Sequence, residues 1–153
     1  MLLADDLGAY KQVAGWYFDE WLSDLPNMSV DKVALKLSSY DNRDKAPLLV
    51  LAKLNGELMG AAELKLREMD IYPEYEYWIG GVYVKSSARG KGIAANLVKE
   101  VIKYAKAQAI DQLYLQTQKL DGGLYHKLGF NLIEEVDYRG HHVAVMKANL
   151  NKI

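Results

Sequence analysis

The residues best suited to chemistry lie in one short run, Val82-Tyr83-Val84-Lys85-Ser86-Ser87-Ala88-Arg89-Gly90-Lys91-Gly92-Ile93-Ala94, where a strand-like pattern passes into a helical one. Two glycines at a helix start let the backbone approach a ligand closely and turn several N–H groups the same way. The helix end adds roughly +0.5 of positive charge. Together these properties make a phosphate-binding turn, to which Arg89 and Lys91 bring side-chain charge. The same residues also fit a solvated turn ahead of a well-formed helix.

Two other nucleotide-binding patterns share part of this run. Gly90-x-Gly92-x-x-Ala95 fits the dinucleotide fingerprint, with Asp111 about 19 residues beyond Gly92. In that motif, however, the glycines follow the strand at once and the acidic residue follows the next strand. Here residues 85–89 intervene and Asp111 comes too early. A Walker loop needs Ser or Thr after Gly-Lys, and Lys91 is followed by Gly92.

The elements that must hold this turn follow from periodicity. Behind Asp5 and Asp6, either of which can cap a helix, Leu7, Tyr10, Val13, Ala14, Tyr17 and Trp21 recur at three- and four-residue intervals and predict a helix ending near Pro26. Ser29 is placed to cap a second helix through Val30, Val33, Ala34 and Leu37. Leu48–Leu54 and residues 57–67 read as strands joined by an Asn55-Gly56 hairpin turn. In the second strand, Leu58, Gly60, Ala62, Leu64 and Leu66 alternate onto one face, and Glu57, Met59, Ala61, Glu63, Lys65 and Arg67 onto the other. Residues 75–84 form a long strand rich in aromatic and β-branched side chains. The set Ile93, Ala94, Leu97, Val98, Val101, Ile102 and Ala105 is a regular helical stripe, and residues 113–117 are the next strand. That order predicts a right-handed crossover with 75–84 parallel to 113–117. Asp121 can cap a helical turn that holds Tyr125 and stops at Gly129, and strands 130–137 and 142–146 close the chain around Arg139-Gly140.

With 153 residues, 50% hydrophobic and 25% charged, the sequence predicts one globular domain over residues 1–153. The balance of 19 basic against 20 acidic residues, net −1, gives no electrostatic reason to expect nucleic acid or an anionic membrane as partner. The absence of cysteine excludes disulfides, thiolate metal sites and a cysteine nucleophile. No apolar run approaches the roughly 18 residues that span a bilayer, and MLLADDLGAY lacks the basic start of a signal peptide, so a soluble cytoplasmic protein is expected. His141 and His142 would point apart on a strand and His126 lies on an amphipathic turn, so no metal site is expected.

The glycine run resembles the pyrophosphate signature of the GNAT family of N-acetyltransferases: Arg or Gln, two residues, Gly, one residue, Gly or Ala. Here it reads Arg89-Gly90-Lys91-Gly92-Ile93-Ala94, after a strand ending Gly81-Val82-Tyr83-Val84. A second family feature stands in its place as Leu124-Tyr125-His126-Lys127-Leu128-Gly129-Phe130. The resemblance covers about residues 48–146, and the two leading helices suit it; the usual first strand is absent or reduced to a stub. It implies an α/β fold with a mixed, mostly antiparallel sheet of about six strands, one central parallel pair and about four flanking helices.

The resemblance also implies transfer of an acetyl group from acetyl-CoA to a primary amine of a small molecule or peptide, without a covalent enzyme intermediate. Val82, Tyr83 and Val84 would pair with the pantetheine arm between splayed strands, Val82 N–H or a near neighbour would donate to the thioester carbonyl, and Arg89, Gly90, Lys91, Gly92, Ile93 and Ala94 would hold the pyrophosphate. Tyr125 would assist departure of the CoA thiolate. A tyrosine near 10 and a thiol near 8.5 put complete proton transfer at roughly 2 kcal/mol, so a strengthening hydrogen bond suffices. The alternative for Tyr125 is a ring packed under the sheet. The alternative for the whole protein is a non-catalytic acyl-CoA sensor, and a longer acyl donor fits equally. For a base, Glu76, which alternation places with Trp78, Gly80 and Val82, and Glu63 are both candidates, and both also read as solvated carboxylates. Tyr72, Tyr75, Tyr77, Trp78, Trp16 and Trp21 either line an acceptor pocket or pack in the core, and Asp70, Glu74 and Glu76 hint at a cationic acceptor. A homodimer is compatible with the sequence.

Overall fold

The computed structural model describes residues 1–153. Its strands are β1 (Leu48–Leu54), β2 (Glu57–Leu66), β3 (Tyr77–Val84), β4 (Gln112–Thr117), β5 (Asn131–Tyr138) and β6 (His141–Asn149), and its helices α1 (Tyr10–Tyr17), α2 (Val30–Ser38), α3 (Ile93–Ala107) and α4 (Gly123–Lys127). The strands form one six-stranded sheet in the order β1-β2-β3-β4-β6-β5. Every pairing is antiparallel except β3 with β4, which is parallel, as the crossover through α3 requires. That parallel pair is in register at Trp78 and Tyr114 alone, whereas β4 pairs with β6 along its whole length. Beyond Trp78, β3 and β4 part.

Each face of the sheet buries a different layer. Leu97, Val98, Val101 and Ile102 of α3 pack against Ala62, Leu64, Ile79, Leu113 and Leu115, which buries the apolar stripe of the helix. On the opposite face Val13, Ala14 and Tyr17 of α1 and Val33 and Leu37 of α2 cover Leu49, Leu51, Leu58 and Ala61. A third cluster, Met69, Tyr72, Trp78, Val143 and Val145, fills the space beneath the loop that joins β2 to β3.

Several local expectations hold and several are corrected. Ser29 caps α2, its Oγ accepting the Lys32 N–H at 3.2 Å. Neither Asp5 nor Asp6 caps α1: Asp5 accepts the Leu2 N–H at 3.2 Å, Asp6 pairs with Lys53, and two 3-10 turns precede Tyr10. After Tyr17 the helix widens into a π turn, Phe18–Leu22, so Trp21 leaves the buried stripe and is 47% exposed. The family's first strand is a stub, Leu2 bridged to Val50. Asp121 accepts the Gly123 N–H at 3.0 Å, and the residue that opens α4 is Gly122.

Strict alternation fails at two bulges. In β2, Gly60 faces Ala52 but Leu58 faces Lys53, so Met59 is an extra residue and Leu58 turns toward α1 and α2, away from the face of Ala62 and Leu64. In β3, Tyr83 faces Ala61 but Gly80 faces Glu63, so Gly81 and Val82 together oppose Ala62. Val82 and Val84 therefore share the α3 face with Ile79 while Trp78 lies on the other, which overturns the single face expected for Glu76, Trp78, Gly80 and Val82. The strand itself starts at Tyr77, two residues later than expected.

Candidate active site

Where β3 parts from β4, a cleft of about 410 Å³ opens against the start of α3. Its wall contains Val82, Tyr83, Val84, Arg89, Gly90, Gly92, Ile93 and Ala94, all singled out by the sequence, together with Glu20, Trp21, Ala88, Ala95 and Leu124. Lys91 is exposed and lies outside the wall. Gly92 opens α3 at φ +77 with no side-chain cap, and the first N–H of the helix known to be taken is that of Asn96, bonded to Gly92 O at 3.1 Å. The early N–H groups at this end thus have no intrahelical acceptor, the arrangement that favours an anion. A Cβ at Gly90 or Gly92 would meet nothing within 4 Å, so the turn is open to a ligand. Arg89 is partly committed to the fold: its Nε donates to Val84 O at 2.9 Å and its guanidinium lies 5.5 Å from the Tyr83 ring centre.

Opposite α3, the bulge of β3 borders a buried polar cluster. Gly81 has φ +56, and its carbonyl accepts the Tyr17 hydroxyl at 2.5 Å. Glu63, with a side chain only 7% exposed, lies 3.7 Å from the Lys65 ammonium, which also contacts Glu68 at 3.0 Å. Burial works against the Lys65 charge, but Glu63 and Glu68 carry its pKa above the ordinary value. Burial, then the charge of Glu63, pushes the Tyr40 phenol up to about 12. Glu63 is thus a buried carboxylate, not the solvated one its strand position suggests. Glu76 behaves as a solvated one, 47% exposed and 3.6 Å from Arg67.

Tyr125 packs against the main core with its ring edge-on to Phe130 at 6.1 Å, beside Leu124 of the cleft wall. Burial, then the charge of Glu68, raises its phenol to about 12, and no hydrogen bond contributes to that shift. Glu68 itself contacts Lys65 beside Glu63, and Gly80 makes room for it, since a Cβ there would stand 2.9 Å from Glu68 Oε1. Its other oxygen, Oε2, is buried without a partner. Nothing in the sequence singles out Glu68, which lies in a loop past the end of β2.

The aromatic set divides in two. Trp16 stacks on Tyr83 at 5.2 Å and Trp21 meets the same ring edge-on at 6.0 Å, beside the cleft. Tyr72, Tyr75 and Tyr114 form a separate stack, at 4.9 and 4.1 Å, over the fully buried Trp78, and belong to the core. Tyr77 packs on the α3 face. Glu20 and Trp21 reach the cleft through the π turn, which helical spacing does not reveal. His142 lies between Glu135 at 2.9 Å and Asp137 at 2.6 Å on the exposed β5–β6 hairpin. No helix of the chain is long and apolar enough to cross a membrane.

Residues 10–130 match the model of the acetyltransferase (GNAT) family. Among solved structures the chain is similar to aminoglycoside 6'-acetyltransferase type Ii, at 19% identity and a TM-score of 0.71 over 96% of this chain and 93% of that one. It is similar to yncA from Salmonella typhimurium, solved with its cofactor acetyl-CoA, at 16% identity and a TM-score of 0.71 over 98% and 91%. A ribosomal-protein-alanine N-acetyltransferase from Brucella melitensis matches at 21% identity and a TM-score of 0.70 over 95% of both chains. At these identities the likeness is one of fold. No curated protein sequence matches the chain.

Proposed function

The chain belongs to the GNAT acetyltransferase family and is by that membership an acyltransferase, and from this premise we propose that it moves an acetyl group from acetyl-CoA to a primary amine of a small molecule or peptide. One observation supports the reading above all: the uncapped start of α3 and the end of β3, paired with β2 but not with β4, border the same cleft. When bound there, acetyl-CoA supplies an acyl group already activated as a thioester. The N–H groups at the start of α3 hold its phosphates, with Gly90 and Gly92 allowing close approach. Arg89 and Lys91 add charge, Lys91 from outside the wall.

Val82, Tyr83 and Val84 offer backbone groups to the pantetheine arm. The Val82 N–H donates to the thioester oxygen as negative charge gathers there, a role worth roughly 2.7–4 kcal/mol in comparable sites. Tyr125 donates its hydroxyl hydrogen bond to the departing sulfur. At about 12 its phenol stays protonated at every working pH. The gap from a thiol near 8.5 makes complete proton transfer cost roughly 5 kcal/mol, so Tyr125 acts by a hydrogen bond that strengthens as the thiolate forms. Glu63 is favoured over Glu76 as the group that takes the amine proton, through water, because it is buried beside the bulge while Glu76 is tied to Arg67 in solvent. The amine gains mainly from being held close to the thioester in its neutral form. Screening amines, polyamines, amino acids and peptide N-termini with acetyl-CoA while following thiol release tests this reading. Release that no amine accelerates, although acetyl-CoA binds, would favour the sensor instead.

A further inference from the structure

We infer that Tyr17 is a positioning residue: by holding the Gly81 carbonyl on the α1 face of the sheet, it aims the Val82 N–H into the cleft before any ligand arrives. The inference rests on the cleft being the acetyl-CoA site. It follows from three features of β3.

The first is the direction of the strand's amides. Lys85 N–H donates to Met59 O at 2.8 Å and Arg67 N–H donates to Glu76 O at 2.7 Å. Backbone groups alternate in direction along a strand, so residues 83 and 85 on one side of the bulge, and 76, 78 and 80 on the other, present theirs to β2. Gly81 and Val82 are the pair between the two sets, opposite Ala62. Val82 N–H is thereby released from the β2 ladder.

The second is the hydrogen bond itself. A trans peptide is planar, with C=O and N–H pointing in opposite directions. The Tyr17 hydroxyl, 2.5 Å from Gly81 O, fixes the carbonyl toward α1. The N–H of the same peptide must then point the other way, toward the side on which Val82 packs and the cleft opens. Without that anchor, a glycine peptide in a bulge is free to turn over.

The third is that the anchor cannot slip. Tyr17 is 4% exposed at the end of α1, locked among Val13, Ala14 and Ala61. Burial, then the charge of Glu63, holds its phenol well above the ordinary value, so it is always a neutral donor. Gly81 has no freedom to take a side chain, since a Cβ there would stand 2.5 Å from Glu63 Oε2 and 2.7 Å from the Tyr17 hydroxyl.

The test compares acetyl-CoA with S-ethyl-CoA, a thioether that lacks the carbonyl, by ¹H–¹⁵N spectroscopy of the full chain, with affinities from calorimetry. In the parent the Val82 amide proton moves downfield with acetyl-CoA and not with S-ethyl-CoA. In Tyr17→Phe that difference shrinks to less than about half, and single-turnover acetyl transfer to an amine found by the screen falls about tenfold, while both ligands bind within about twofold of the parent. Tyr40→Phe removes another buried hydroxyl near Glu63 that does not touch Gly81, and it keeps the carbonyl-dependent shift. A full shift in Tyr17→Phe with intact binding overturns the positioning role, as does an equal loss in Tyr40→Phe. Should Tyr17→Phe not fold, the parent decides through its Gly81 carbonyl ¹³C resonance: no change on binding acetyl-CoA supports a preset peptide, and a large change overturns it. A parent that binds neither ligand refutes the assignment of the cleft itself, a result distinct from either outcome for Tyr17.

Discussion

The helices of this protein begin in two ways. α2 starts at Ser29, whose Oγ takes up a backbone N–H, and the helix lies on the far side of the sheet with Val33 and Leu37 in the core. α3 starts at Gly92, left-handed at φ +77 and with no side-chain cap; α4 also starts at a left-handed glycine, Gly122 at φ +81, but there the Asp121 carboxylate accepts the first N–H of the helix. Both of these helices contribute to the cleft wall, through Ile93, Ala94, Ala95 and Leu124. A serine cap satisfies the helix from within and is worth about 1 kcal/mol. The start of α3 forgoes that gain and leaves its donors open. The difference separates a helix whose start is closed by its own serine from one whose start is open to the cleft.

The contrast is broken most severely by Gly92→Val. A β-branched residue at positive φ is strained, and the turn must rearrange to accept it. CoA affinity by calorimetry should fall about a hundredfold or more. Parental affinity in a folded variant would remove the case for the α3 start as the phosphate site. Tyr125→Phe, one turn into α4, sharpens the contrast between binding and chemistry. Single-turnover acetyl transfer should drop roughly a hundredfold with CoA affinity intact, and an unchanged rate would leave Tyr125 a packing residue.

The same tyrosine also links the site to stability. Its folded pKa of about 12 lies above the unfolded value near 10. Its contribution is therefore complete below about pH 10 and is lost as pH rises through about 12. Urea denaturation at pH 9 and again near pH 12 should show the parent losing up to about 2 kcal/mol more than Tyr125→Phe. Equal losses would contradict the buried, protonated state. The smallest effect is expected at the other helix: Ser29→Ala should cost about 1 kcal/mol in denaturant midpoint and leave CoA affinity as it was. A change in affinity there would show that the two starts are coupled.

How much of this could be read from residues alone depended on how local its cause is. The helical stripe of α3, the Asn55-Gly56 turn, the serine cap of α2 and the crossover that makes β3 parallel to β4 are set by spacing and turn chemistry within a few residues, and the structure bears them out. So is the glycine run, whose residues, Lys91 excepted, line one cleft. Glu63 and Glu76, by contrast, looked alike as strand carboxylates. One is buried beside Gly81 and the Tyr17 hydroxyl at the end of α1, next to Lys65, and the other is not because it lies before the strand begins.

The bulges mark the limit most clearly. Period-two alternation is a property of an unbroken strand, so nothing in Gly80-Gly81-Val82 announces that Val82 changes face. That shift comes from a register mismatch between β2 and β3, and it is stabilised by a tyrosine 64 positions away in sequence. The sequence by itself determined which turn would offer backbone donors, because glycine conformation and helix polarity are local. Only the tertiary structure decided that Gly81 and Val82 would form a bulge and which carboxylate would be buried beside Gly81, because those depend on contacts between segments that no spacing along the chain encodes.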